Sequence, residues 1–299
     1  MIRVSVGIPT YNEQSNIKDL LVALLSQKQE GFELCEIIVL DDCSTDNTIV
    51  EAMSVSDQRI IVKKADMRGG KSPRFRDLCK MFNGDLLVQF DADVRLANDN
   101  ILSALVLTQQ KERADLVCAN ISALPPRTYI ENLSYFGNQI WWGNVKDALG
   151  ENAIVYRCQG RGRLFTRNFL SKFELPNTSG EDVFSFFYAV TNGYKVSFSK
   201  EALLYFRLPS TWQDYWRQSK RFIVGESILM KYFKKEVVDK YYRPTTRPVK
   251  LKALWKSILE YSPLVSIGHI STQAAAHYFA TAGDAKFIWA DVPSTKILK

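Results

Sequence analysis

A chain of 299 residues can build one large domain or two modest ones. At 46% apolar and 24% charged it has an ordinary globular composition, which excludes extended disorder and low-complexity structure. Lys and Arg outnumber Asp and Glu by 39 to 32, a formal charge of +7; this excess suits nucleic acid, anionic lipid, a phosphorylated substrate or a plain solvated surface, and selects none of them.

In chain order, residues 3–8 (RVSVGI) form a β-branched run expected to be a strand, followed by the loop PTYNEQSN. IKDLLVALLSQK places Leu20, Leu21, Leu24 and Leu25 at helical spacing. CEIIVLDD is a second strand ending in two acids, and STDNTIVEAM opens a helix with Ser44 or Thr45 as the expected cap. RIIVKKA is a third strand, SPRFRDLCKMF a helix with Pro73 near its first turn, and DLLVQF a fourth strand. Strands alternate with helices through residue 107, the pattern of a parallel sheet covered by helices. Ligands of such sheets bind beyond the carboxyl ends of the strands. Those ends carry PTYNE, Asp41/Asp42 and Asp91/Asp93.

Beyond residue 120 the pattern loosens. IENLSYFGNQIWWGNV is aromatic-rich and expected to be helical; Tyr135, Phe136, Trp141 and Trp142 read as core packing, with stacking on an acceptor as the alternative. YRCQGRGRLFTRNFL sets Arg161 between Gly160 and Gly162. A helix is expected from Glu181, a strand after the NGY turn, and a longer helix over STWQDYWRQSKRFIVGESILMKYF. YYRPTTRPVK reads as a linker, followed by a helix over LKALWKSILEY and a mixed apolar segment, LVSIGHISTQAAAHYFATA. The five cysteines (Cys35, Cys43, Cys79, Cys118, Cys158) are odd in number and lack metal-clip spacing, as expected of reduced thiols in a cytosolic protein. The N-terminus shows a strand pattern without a secretory h-region, and no run of about 18 apolar residues predicts a spanning helix.

Asp91 and Asp93, one residue apart at the exit of an apolar strand, repel each other and lose hydration. A hard divalent cation relieves both costs, taking one or two carboxylates and completing its shell with phosphates and water. A lone pair of this kind is more often two solvated acids, so its neighbours decide. ADMRGGKS approaches a phosphate loop but has Ala65 where the first glycine is needed, and no early strand leads into a G-x-G-x-x-G turn.

VSVGIPTYNEQSNI, EIIVLDDCSTDNT, GGKSPRFRDLCKMFNGDLLVQFDADVRL, GEDVFSFFYAVTNGYKV and QSKRF, in that order, resemble the motifs of family 2 glycosyltransferases over roughly residues 3–226. The resemblance implies an α/β chain of the GT-A fold: a Rossmann-like, mostly parallel sheet flanked by helices. It implies a catalytic domain over 1–226, with a nucleotide-sugar half at 1–107 and an acceptor half at 108–226, followed by a C-terminal helical extension at 227–299. Pro9, Tyr11 and Glu13 match positions lining the base and ribose, and Asp42 the carboxylate that meets a pyrimidine. Arg68 and Lys71 match a loop that meets the base or diphosphate. Asp91 would face ribose or metal, and Asp93 would ligate Mn2+ or Mg2+. Asp182 matches the base that deprotonates the acceptor, with Glu181 beside it on the acceptor side. Gln218 and Arg221 match the Q-x-x-R-W signature of polysaccharide synthases: Gln218 is expected near the acceptor and Arg221 near the diphosphate. Phe222 replaces the tryptophan that binds acceptor sugar there, which puts processive polymer synthesis in doubt.

The implied activity is inverting, metal-dependent transfer from a nucleotide diphosphate sugar, most simply a uridine one, to a hydroxyl of a glycan, lipid-linked or small-molecule acceptor. No nucleic-acid partner is implied; the alternative is a GT-A-like module that binds nucleotide sugars or nucleic acid without catalysis. In the tail, Leu254, Trp255, Ile258 and Leu259 with Lys252 and Lys256 are compatible with a helix packed on the catalytic domain or a peripheral contact at the inner membrane face of a cytoplasmic protein.

Overall fold

The computed structural model describes residues 1–178, 180–242, 247–279 and 292–298, without the side chains of 151, 152, 221–228 and 242. Eight strands form one sheet: β1 (Ile2–Thr10), β2 (Phe32–Asp41), β3 (Ile60–Lys64), β4 (Leu86–Phe90), β5 (Val94–Leu96), β6 (Leu116–Ala123), β7 (Gly162–Thr166) and β8 (Val196–Phe206). Their order is β3-β2-β1-β4-β7-β6-β8-β5. The four strands of the first half run parallel, as the βα alternation requires. β7 then enters antiparallel between β4 and β6, β8 lies parallel to β6, and β5 closes the far edge antiparallel to β8.

All five residues of β4 are buried, because helices cover both faces of the sheet. One face receives Ile17, Leu20, Leu21 and Leu24 of the helix Ile17–Leu25, which packs on Val4, Val6 and Ile8 of β1. The other receives Phe75 and Leu78 of the helix Lys71–Met81, with Phe165, Phe169, Phe184 and Phe187. Pro73 sits in the first turn of that helix, where a missing amide costs no hydrogen bond.

Three local expectations change. The second helix begins at Thr48 with Asn47 as its N-cap; Ser44 instead turns its hydroxyl onto Asp41, and the Thr45 amide donates to Asn12 Oδ1 (2.9 Å). Most of the supposed linker is helical: the helices Lys235–Tyr242 and Arg247–Glu260 take its two ends, and residues 243–246 lie outside the described residues. The tail's single apolar face splits in two. Leu254 and Ile258 pack inward on the cluster of Leu133, Phe136, Tyr215 and Val265, whereas Trp255 and Leu259 are exposed at 66% and 83%.

The aromatic segment is helical and interrupted by a π-turn over Phe136–Trp141. Its rings serve packing: Phe136 is fully buried, Tyr135 stacks on Tyr261, and Trp141 on Trp142. Gly137 is required there, since a Cβ would lie 2.2 Å from the ring of His269 on the helix Pro263–Phe279. No described helix is long and apolar enough to cross a membrane.

Candidate active site

The exits of β1, β2 and β4 and the entry of β7 converge. Lys71, first residue of its helix, places Nζ 2.5 Å from Asp91 Oδ1, 3.0 Å from Glu181 Oε1 and 3.2 Å from the Gly160 carbonyl. Burial works against its ammonium, but the charges of Asp91 and Glu181 prevail and hold its pKa above the usual lysine range. The Gly160 amide in turn donates to Asp182 Oδ2 (3.1 Å). Asp91, Lys71, Gly160 and Asp182 therefore form one continuous set of contacts. A Cβ on residue 160 would lie 2.9 Å from Lys71 Nζ, 3.1 Å from Glu181 Oε1 and 3.2 Å from Asp182 Cβ, so the set closes only around glycine.

Glu181 is buried, paired with Lys71 and with the fully buried Arg163 (3.2 Å), so it orients other side chains of the site. Arg163 also donates twice to Gln89 Oε1 (2.7 and 3.1 Å) and once to Ser185 Oγ (2.9 Å), while Gln89 Nε2 donates to Asp91 Oδ1 (3.0 Å). Sequence reading passed over Arg163 because an arginine inside a strand gives no pattern that announces a buried hub.

At the neighbouring exits, Asp42 is buried and already engaged. Its two oxygens accept from the amides of Gly69 and Gly70 (2.8 Å each), and Arg74 Nε lies 3.1 Å away. In this arrangement Asp42 anchors the 69–70 loop through both carboxylate oxygens. That loop carries Arg68 over the Tyr11 ring, 3.8 Å from its centroid. Pro9 is half-buried within β1, opposite Leu40 of β2. Glu13 is buried; burial first, then the charge of Asp93, pushes its pKa up to about 8, against Lys296 and Asn16, which bond to it.

Burial and then the Asp91 charge also push the Asp93 carboxyl up, opposed by Arg161, Lys71 and Lys296. Arg161 lies over the Phe206 ring (3.8 Å), and its Nε is buried without a hydrogen-bond partner among the described residues. Thr10 Oγ1, at the exit of β1, is another such atom, and a buried unpartnered polar atom at a strand exit signals a polar ligand. Asp91 and Asp93 fit a hard divalent cation: their donors are oxygens only, and the strain on Asp93 is one that added positive charge relieves. Among the described residues no three His, Cys, Asp or Glu side chains form a closed metal cage. Gln218 is buried in the helix Trp212–Leu229; the side chains of Arg221 and Phe222 lie outside the described residues.

The family model described as glycosyl transferase family 2 matches residues 5–173. The chain belongs to glycosyl transferase family 2. This family 2 chain is similar in fold to the mannosyltransferase PcManGT from Pyrobaculum calidifontis, solved with GDP-Man and Mn2+ (TM-score 0.59, 17% identity, 95% of this chain and 77% of that one). It is also similar to S. aureus TarS in complex with UDP-GlcNAc (TM-score 0.53, 17% identity, 92% and 89%). These likenesses establish the GT-A fold. Among curated proteins, the beta-monoglucosyldiacylglycerol synthase of Nostoc sp. is 24% identical over 181 residues, 56% of this chain and 36% of that protein. The family 2 chain spans about a third of the length of the curated relatives it matches.

Proposed function

We propose that the chain is an inverting glycosyltransferase that moves a sugar from a nucleotide diphosphate, most simply uridine diphosphate, to a hydroxyl acceptor. The observation that carries this reading is the contact set from Asp91 through Lys71 and Gly160 to Asp182, which puts a carboxylate suited to proton removal beside the acid pair suited to a diphosphate. Asp91 and Asp93 would hold a divalent cation, whose chemistry there is Lewis-acid stabilisation of the departing diphosphate. Asp182, at the first turn of the helix Glu181–Thr191, keeps its carboxylate oriented through the amides of Gly160 and Val183 (3.1 and 2.8 Å) and takes the acceptor proton. One base and no second carboxylate assigned as nucleophile imply a single displacement with inversion.

The acceptor class we favour is a lipid-linked or membrane-surface hydroxyl. Leu251, Trp255 and Leu259 form an exposed apolar ridge at helical spacing, flanked by Lys252 and Lys256, and the Nostoc relative is named for a diacylglycerol product. The test is calorimetric titration of the chain with UDP and GDP, with and without Mn2+, followed by a screen of UDP-sugars for transfer or hydrolysis. Mn2+-dependent binding with turnover sustains the proposal. Binding without any turnover reduces the chain to a binding module, and no binding removes the reading.

A further inference from the structure

Residues 292–298 lie against the candidate site although nothing in the sequence motifs points to them. At one end, the Ser294 hydroxyl and amide donate to Asp214 Oδ2 (2.7 and 3.1 Å), and the Ser210 amide donates to Ser294 Oγ (3.1 Å). At the other, Asn16 Nδ2 donates to the Lys296 carbonyl (2.7 Å), and Leu298 lines a cavity with Asn16, Leu20, Val94 and Leu96. The backbone is thus fastened both to the helix Trp212–Leu229 and to the loop after β1.

Between those fastenings, Lys296 turns its side chain inward, only 15% exposed. Its ammonium donates to two successive carbonyls, Tyr11 and Asn12 (the second at 3.1 Å), and pairs with Glu13 Oε1 at 3.1 Å. It also lies 5.5 Å from the centroid of the Tyr11 ring. Asn12, between Tyr11 and Glu13, holds a left-handed φ of 53°, a conformation that asparagine adopts more readily than most residues and that its surroundings hold in place. Lys296 gives part of that support through its bonds to the Tyr11 and Asn12 carbonyls, beside the bonds of Asn12 to Ser44 Oγ and the Thr45 amide (2.9 Å each).

We propose that Lys296 is a positioning residue of the donor site: it holds the Tyr11–Glu13 loop in the shape that receives the nucleoside, and so makes residues 292–298 part of donor recognition. This rests on the nucleotide-sugar reading above. It adds to that reading a donor-site element some 280 residues away in sequence from the loop it serves.

The experiment compares the full chain with Lys296→Met and Lys296→Arg by calorimetric titration of UDP, then GDP, in the presence of Mn2+, with thermal unfolding measured without nucleotide. Lys296→Met should weaken nucleotide binding about tenfold, within the usual range for coupling between distant groups. Lys296→Arg should recover most of that loss. With a sugar donor, KM should rise in Lys296→Met while kcat stays near its original value. A Glu13→Gln/Lys296→Met double-mutant cycle should show non-additive losses in nucleotide affinity. Equal affinity in wild type and Lys296→Met overturns the inference, as does a fall in Tm with affinity intact, which would mark a purely structural contact. Tighter binding by Lys296→Met also overturns it, because the segment would then obstruct the pocket. If wild type itself binds neither nucleotide, the underlying reading fails, and the inference with it, before any variant is compared.

Discussion

The Arg163 guanidinium lies 3.2 Å from the Glu181 carboxylate, with side-chain exposures of 0% and 3%. A buried pair of this kind is costly to break from one side, because the partner's charge stays desolvated. Here the partner also holds Lys71, so stability and site geometry are linked. Arg163→Met should lower unfolding free energy by about 3 kcal/mol or more, read from urea denaturation. Glu181→Gln, which keeps hydrogen-bonding atoms, should cost less.

Asp182 tests the proposed base. Asp182→Asn should reduce transfer by at least about a hundredfold, the lower bound expected for a positioned general base. UDP affinity in the presence of Mn2+ should stay within about twofold of wild type, because Asp182 contacts Gly160 and Val183 and not the Asp91–Asp93 pair directly. Activity that survives the change would remove Asp182 from the mechanism.

Gly160→Ala tests the junction between the two halves of the site. The added methyl must push against Lys71 Nζ, Glu181 Oε1 and Asp182 Cβ together. Lys71 Nζ is a flexible end and can yield, whereas the Glu181 carboxylate is held by buried Arg163 and Asp182 Cβ cannot rotate away, so the Tm should fall. Their displacement misplaces the contact set, and transfer should fall by on the order of a hundredfold. A steady-state assay beside a melting curve separates the two effects.

His269 sets a pH dependence of stability. Burial depresses its pKa to about 4, against a hydrogen bond to the Leu133 backbone; Tyr215 Oη lies 2.8 Å from Nδ1. The folded chain keeps this ring neutral while the unfolded chain protonates it near pH 6.5. Its contribution is therefore complete above pH 6.5 and is lost as pH falls toward 4, by about 3 kcal/mol. Urea midpoints at pH 7 and pH 4.5 should show that loss, and His269→Gln should flatten it.

Much of the fold of residues 1–107 was legible in the sequence. Alternating apolar runs and amphipathic stretches located β1 to β4 and their helices, because each is formed by local periodicity, and acids at strand exits are visible without coordinates. The insertion of β7 between β4 and β6 was not legible, since five residues of strand carry no address. The pairing of Glu181 with Arg163 beneath it was not legible, and Lys296 was silent because its partners are at the opposite end of the chain. Ser44 and Thr45 were plausible caps on local grounds; a competing bond from Ser44 to the buried Asp41 drew the backbone elsewhere.

The placement of β7 has a consequence for synthesis of the chain. β4 pairs with β1 on one side, but its other edge stays open until residues 162–166 arrive some seventy positions later. A nascent chain with β1–β4 already assembled therefore presents a wholly apolar strand with a bare row of amides and carbonyls. Ribosomal pausing or truncation before residue 162 should yield aggregates, whereas release just beyond β7 should leave that edge sealed.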